Sequence, residues 1–239
     1  MVKMEEARVL GIKVHPVNMD QAVQTIASYV QERGPHLVVT VGTEMVMAAQ
    51  EDEAFRGAIE SASLVVPDGV GVVWASRRKG FTLEKVAGIE LMARLLETAA
   101  AKGWRVFLLG AGEGIATAAA DVFRQKWPGL QVVGAHSGYF QDEGLVLEQI
   151  KTARPDLLFL ALGAPRQELF YRRHPELDVP VGMGVGGSFD VYAGKIKRAP
   201  RWMIRLGLEW MWRLYLEPSR WRRQLALPRF VFKVLAEDR

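Results

Sequence analysis

The chain has 239 residues and 26.7 kDa, room for one domain of about 100–200 residues with an appendage, or for one large domain. With 49% hydrophobic and 24% charged residues and a mean hydropathy of +0.04, it reads as a folded core and excludes a disordered or collagen-like chain. The formal charge is +4, and the chain contains no cysteine, which excludes a disulfide scaffold, Cys-ligated zinc or iron–sulfur sites and thiol catalysis.

No uninterrupted apolar run reaches the roughly 20 residues of a membrane span, and the N-terminus lacks the basic and apolar regions of a signal peptide. A cytoplasmic location is therefore expected. The body alternates short β-branched runs with amphipathic stretches. Strands are predicted over 8–14, 37–41, 63–66, 105–109, 131–135, 156–162 and 179–185. Helices are predicted over 19–31, behind the N-cap candidate Asn18, and over 89–102, 114–126 and 145–153. This order predicts an α/β fold: a Rossmann-like, mostly parallel sheet with helices on both faces, plus a helical C-terminal appendage. Ligands of such sheets sit at the carboxyl ends of the strands.

After the second strand, Thr40 precedes Gly42-Thr43-Glu44 and a helix from Met45. Its hydroxyl can hold a sugar or phosphate, or cap that helix. The third strand runs into Pro67-Asp68-Gly69-Val70-Gly71. A carboxylate there is positioned for general-base work, or forms an ordinary Asp-Gly turn. The fourth strand is followed by Gly110-Ala-Gly112-Glu-Gly114. These glycines allow a nucleotide diphosphate to approach a helix N-terminus, or make a tight turn. Ile115 stands where the dinucleotide fingerprint wants Gly, which argues against a nicotinamide-dependent oxidoreductase.

Next come Gly163-Ala-Pro165-Arg166-Gln167-Glu168 and Gly186-Gly187-Ser188-Phe189-Asp190. Arg166 can meet a phosphate and Gln167 a sugar hydroxyl, or the segment is a solvated helix start. Gly163 and Gly187 allow backbone approach to a nucleotide. Asp190 can accept from a ribose or sugar, or cap a helix. Four scattered histidines lack metal-ligand spacing; Asp-x-Asp and Gly-x-Ser-x-Gly are both absent, so no metal or other cofactor and no serine hydrolase is expected.

The alternation stops near Pro200. We divide the chain into a core, 1–196, and an appendage, 197–239. Residues 195–239 hold twelve Lys and Arg against four Asp and Glu, and four of the seven Trp. Helices are predicted over 201–216 and 220–227, with a last apolar stretch at 230–236. Trp202, Met203, Leu206, Trp210 and Leu214 share a helical face, with Arg201, Arg205, Glu209 and Arg213 elsewhere on the wheel. Such a tail docks on the core, hides in a homo-oligomer, or seats at an anionic lipid interface. Nucleic acid is a further option, without a known recognition motif.

Taken together these motifs resemble the WecG/TagA/CpsF glycosyltransferases. The resemblance rests on Thr40-x-x-x-Glu44, Val66-Pro-Asp68-Gly-Val-Gly71, Val86-Ala-Gly88-Ile-Glu, Phe107-Leu-Leu-Gly110-Ala, Gly163-Ala-Pro-Arg-Gln167-Glu168, Gly184-Val-Gly-Gly187-Ser-Phe-Asp190, and Gly207-Leu-Glu-Trp-x-x-Arg213 with Glu217-Pro-x-Arg220. One departure is Gly42, where the family often has Asn. The resemblance implies an inverting, metal-independent transferase. It would move a sugar, N-acetylmannosamine in the better-known members, from a UDP donor onto a polyprenyl-diphosphate-linked N-acetylglucosamine. Its place would be the inner face of the cell membrane, peripherally bound to the anionic surface. By motif position, Asp68 looks like the catalytic base and Thr40 and Gln167 like substrate-pocket residues. Arg213, Arg220 and Arg223 look like appendage arginines that close over the site and meet the donor diphosphate. The competing reading from another class is a nucleotide- or nucleic-acid-binding module without catalysis, which Gly110–Gly114 and the basic tail motivate.

Overall fold

The computed structural model describes residues 6–218, 221 and 225–237. Residues 7–14 were expected as one strand and instead form a hairpin, β1 (Ala7–Val9) and β2 (Ile12–Val14), paired antiparallel. Leu10 and Gly11 both take positive φ (49° and 77°), the twist of a two-residue hairpin turn. The elements then run α1 (Met19–Glu32), β3 (His36–Val41), α2 (Thr43–Ala48), α3 (Glu53–Ser61), β4 (Leu64–Pro67), α4 (Val70–Arg78), α5 (Gly88–Lys102) and β5 (Arg105–Gly110). They continue with α6 (Ile115–Lys126), β6 (Gln131–His136), α7 (Glu143–Ala153), β7 (Leu157–Ala161), α8 (Arg166–Arg173), β8 (Val181–Gly184) and α9 (Ser188–Tyr192). Asn18 closes a capping box with Gln21 at the start of α1, as its position implies.

Strands β3–β8 form one parallel sheet in the order β4-β3-β8-β7-β5-β6. Successive strand residues feed opposite cores. Leu37, Val39 and Val41 of β3 face one cluster with Leu158 and Leu160 of β7, while Val38, Leu157 and Phe159 face the other. The first core is covered by the hairpin, α2, α3, α4, α7 and α8; the second by α1, α5, α6 and α9. The chain is thus an α/β fold with a doubly covered parallel sheet.

This order creates the crevice. Neighbouring strands β3 and β8 send their connections to opposite faces, β3 into α2 and β8 into α9. Loops that diverge leave a gap at the carboxyl edge, the usual ligand position in open α/β sheets. A second divergence, between β5 and β7, is closed. There the Ala111 N–H donates to the Ala161 carbonyl (2.9 Å) and the Gly138 N–H to the Ala111 carbonyl (2.9 Å).

Beyond Pro200 lie α10 (Arg201–Arg205), α11 (Glu209–Leu216) and α12 (Ala226–Glu237). The single helix expected over 201–216 is broken because Gly207 adopts φ 71°. A Cβ on Gly207 would also crowd Val70 Cγ1 at 2.8 Å. The apolar stretch 230–236 belongs to α12. That helix holds Pro228 in its first turn, where the missing N–H has no helical acceptor to lose. Phe230 and Val234 are buried beside Val46, Met47, Val72 and Val73, so α12 is part of the core on the α2/α4 side. Much of the helix predicted over 220–227, with Arg220 and Arg223, lies outside the described residues.

Candidate active site

A cleft of about 600 Å³ opens above the carboxyl ends of β3, β4, β7 and β8, roofed by α11. Asp68 directly follows β4. Its N–H donates to the Val41 carbonyl (3.0 Å), and the Val86 N–H donates to the Pro67 carbonyl (2.8 Å). These bonds fold residues 69–86 back over the strand end and bring the start of α5 against it. The Asp68 carboxylate then accepts the Gly88 N–H at the N-terminus of that helix. Thr40 lies below the same turn, so close that a Cβ on Gly88 would stand 2.8 Å from Thr40 Oγ1.

Protein surrounds the Asp68 carboxyl on every side but the cleft. Burial pushes its pKa up to about 6, against the pull of the Lys85 ammonium and the Gly88 N–H, while Glu209 and Glu90 push it further up. Lys85 faces the cleft and pairs with Glu209 of α11 at 2.6 Å.

Gln167 sits in the first turn of α8, buried. Its Oε1 accepts from the Gly186 N–H (3.2 Å) and its Nε2 donates to Glu168 Oε1 (2.7 Å), so one side chain ties α8 to the loop after β8. Glu168 is itself buried, and burial raises its carboxyl to about 7 against the Gln167 bond. Both side chains occupy space that a Cβ on Gly184 would take. Arg213 of α11 reaches the next loop. One terminal nitrogen of its guanidinium occupies the space that a side chain at Gly187 would fill, and its Nε donates to Glu217 at 3.4 Å.

The structure therefore brings Thr40, Asp68, Gly163, Gln167, Gly187 and Arg213 to one cleft. It sets Gly110, Gly112, Arg166 and Asp190 elsewhere, while Arg220 and Arg223 lie outside the described residues. Gly110 is packed against the Ala161 backbone in the closed β5/β7 junction, and Gly112 beside Ile115 and Lys195. Arg166 is exposed and lies over the Phe140 ring at 5.2 Å from its centroid. Asp190 pairs with Lys195 at 3.4 Å. Sequence reasoning assigned no role to Lys85, Arg198 or Glu209, which line the cleft. Lys85 directly precedes the Val86-Ala-Gly88 motif, and Glu209 lies inside the Gly207–Arg213 one, the only signal available. Among the charged lining residues, Lys85, Lys197, Arg198 and Arg213 face Glu44, Asp68 and Glu209, a small positive excess suited to an anionic ligand. Among the described residues no three His, Asp or Glu side chains cluster as a metal-ion site.

The sequence profile of the glycosyl transferase WecG/TagA/CpsF family matches residues 7–239. The chain is 39% identical over 213 residues to an N-acetylglucosaminyldiphosphoundecaprenol N-acetyl-beta-D-mannosaminyltransferase of Bacillus subtilis (strain 168), covering 88% of this chain and 83% of that protein. It is 33% identical over 235 residues to the protein of the same name from Staphylococcus aureus (strain NCTC 8325), covering 97% of this chain and 92% of that one.

Proposed function

The chain belongs to the WecG/TagA/CpsF glycosyltransferase family, and from that premise we propose that it transfers N-acetylmannosamine from a UDP donor to N-acetylglucosamine on undecaprenyl diphosphate, with inversion and without a metal ion. The names of its relatives supply the sugar and the acceptor. The observation that carries the mechanism is a cleft joining a half-buried carboxylate, Asp68, to a guanidinium, Arg213, seated against Gly187.

In this reading the acceptor hydroxyl oxygen attacks the anomeric carbon while Asp68 takes its proton. The bond from that carbon to the diphosphate oxygen breaks, and UDP leaves with the electron pair. A carboxyl near 6 is a stronger base than an ordinary aspartate and is still mostly ionised at neutral pH. The departing diphosphate gains charge, and Arg213, with Arg220 and Arg223 from the same tail, meets it. Thr40 and Gln167 are assigned to the sugars, Gln167 held rigid by Gly186 and Glu168.

The acceptor is lipid-linked, so we assign the protein a peripheral place on the inner membrane face. No helix among the described residues is long and apolar enough to cross a membrane. The tail nevertheless exposes Trp202, Leu206, Tyr215, Trp221 and Phe232, and also Arg201 and Arg205. A screen of UDP-sugars against a short-chain lipid-diphosphate-linked N-acetylglucosamine, with and without EDTA, tests the assignment. Turnover of UDP-N-acetylmannosamine that survives EDTA supports it; turnover of none of the donors, or loss with EDTA, refutes it.

A further inference from the structure

The base candidate does not stand alone in its cleft. Lys85, in the segment before α5, and Glu209, in the first turn of α11, meet at 2.6 Å across the cleft, each side chain only about a quarter to a third exposed (25% and 30%). One partner belongs to the core and the other to the tail helix that roofs the site. Both act electrostatically on Asp68, with opposite signs.

We propose that Lys85 is the positioning residue of the Asp68 carboxylate, and that Glu209, carried on α11, competes with Asp68 for the same ammonium. The inference rests on Asp68 being the base. With α11 seated as in this structure, Glu209 takes up part of the charge of Lys85. When Glu209 is drawn away or neutralised, the ammonium acts on Asp68 alone and holds it ionised. The tail thereby tunes the base as well as roofing it. Two other core–tail ion pairs, Arg198–Glu90 and Lys79–Glu237, hold the tail as well, the second through α12. The Lys79–Glu237 pair does not act on Asp68, so tail attachment and tuning of the base are separable.

The charged groups acting on Asp68 are Lys85 and Glu90 from the α5 region and Glu209 from α11. Among these charges Lys85 does most to lower the carboxyl and Glu209 most to raise it. The other charged groups lining the cleft are Glu44 from α2, Lys197 and Arg198 from the strap after α9, and Arg213 from α11.

The test is the acid limb of the pH profile of kcat/KM for sugar transfer, measured for wild type, K85M, E209Q, E237Q and D68N, with thermal melting of each. K85M removes the compensating cation, so its limb moves to higher pH by about one unit. E209Q removes the competing anion, so its limb moves to lower pH. E237Q breaks a core–tail pair remote from the cleft and leaves the limb in place. Opposite shifts in K85M and E209Q are the signature, because a pair that merely fastened the tail would give the two variants the same effect. Shifts in the same direction, no shift in either, or a limb that moves equally in E237Q overturns the proposal. Turnover in D68N would instead remove Asp68 as the base and the premise with it; an inactive D68N with unshifted limbs leaves the premise and removes only the role of Lys85.

Discussion

Gly187→Ala isolates the contact between the tail arginine and the loop after β8. Gly187 has φ −81° and ψ 22°, which alanine adopts without strain. The backbone therefore stays, and if anything the fold gains about 0.4–1 kcal/mol from the stiffer unfolded chain. The new Cβ, however, would overlap one terminal nitrogen of Arg213 and stand 3.0 Å from its Cζ. The guanidinium has to shift by on the order of 1 Å, enough to cost about 100-fold in rate when the displaced group meets the reacting charge. The same figure follows from losing one charged hydrogen bond to the diphosphate, about 1.5–3 kcal/mol, or roughly 10- to 100-fold. Transfer kinetics and melting curves of G187A, R213A and the double variant measure it. The expected outcome is a melting point equal to or above wild type, a 10- to 100-fold fall in kcat/KM, and a double variant no slower than R213A. A fully active G187A, or losses that multiply in the double variant, would refute the contact as the seat of Arg213.

Further outcomes follow from the same structure. D68N loses about 10²–10⁴-fold in kcat with no loss of Tm, the usual range for removal of a general base. The wild-type kcat/KM falls on acidification through about pH 6, where Asp68 takes up its proton. Because the folded-state pKa of Asp68 lies above its ordinary value, the native state binds the extra proton between roughly pH 4 and 6. Stability from this group is present below that window and lost as pH rises through it, so D68N melts higher than wild type at pH 7.5 and the gap closes near pH 4. F230A empties a fully buried site between α12 and α2 and costs about 3–5 kcal/mol, read by denaturant unfolding and by faster amide exchange in α12. W202A/F232A removes two exposed rings, 59% and 73% accessible, and lowers partition onto anionic vesicles by roughly tenfold or more at about 1.5–3 kcal/mol per buried aromatic; unchanged partition would assign those rings to another surface.

How far the fold was legible depended on whether local pattern or long-range closure decided an element. Strands β3, β4, β5, β7 and β8 are largely buried on both faces, so their apolar runs are continuous and stand out, while the edge strand β6 is only partly buried. Helix α4 escaped notice because its first turn is the Gly69-Val70-Gly71 segment, which reads as a turn until burial of Val72, Val73 and Ala75 settles it. Helix α3, Glu53–Ser61, is short and carries Gly57 in mid-helix, where the guanidinium of Arg172 from α8 packs. Leu10 in the hairpin turn is a positive-φ residue with a large side chain, which turn chemistry alone would not choose.

The candidate site was legible in part for a related reason. Asp68, Thr40, Gln167, Gly187 and Arg213 each follow a strand or carry a motif, and the sheet order collects them. Strand order is not written in local sequence, however. The glycines of 110–114 look like a phosphate cradle because they follow a strand and open a helix, as a cradle would. Only the β5–β7 adjacency reveals why they differ: both loops turn away there too, but backbone hydrogen bonds from Ala111 and Gly138 close the gap. The open divergence falls instead between β3 and β8, which are over a hundred residues apart in sequence. Lys85 and Glu209, 124 residues apart in sequence, become a pair only when α11 folds back over the strand ends. The tail's basic, tryptophan-rich composition fits docking on the core, burial in an oligomer and seating on a lipid surface alike. Phe230 and Val234 bind its last helix into the core, so only part of the composition, the rings and guanidinium groups left outside, is free to meet an anionic ligand.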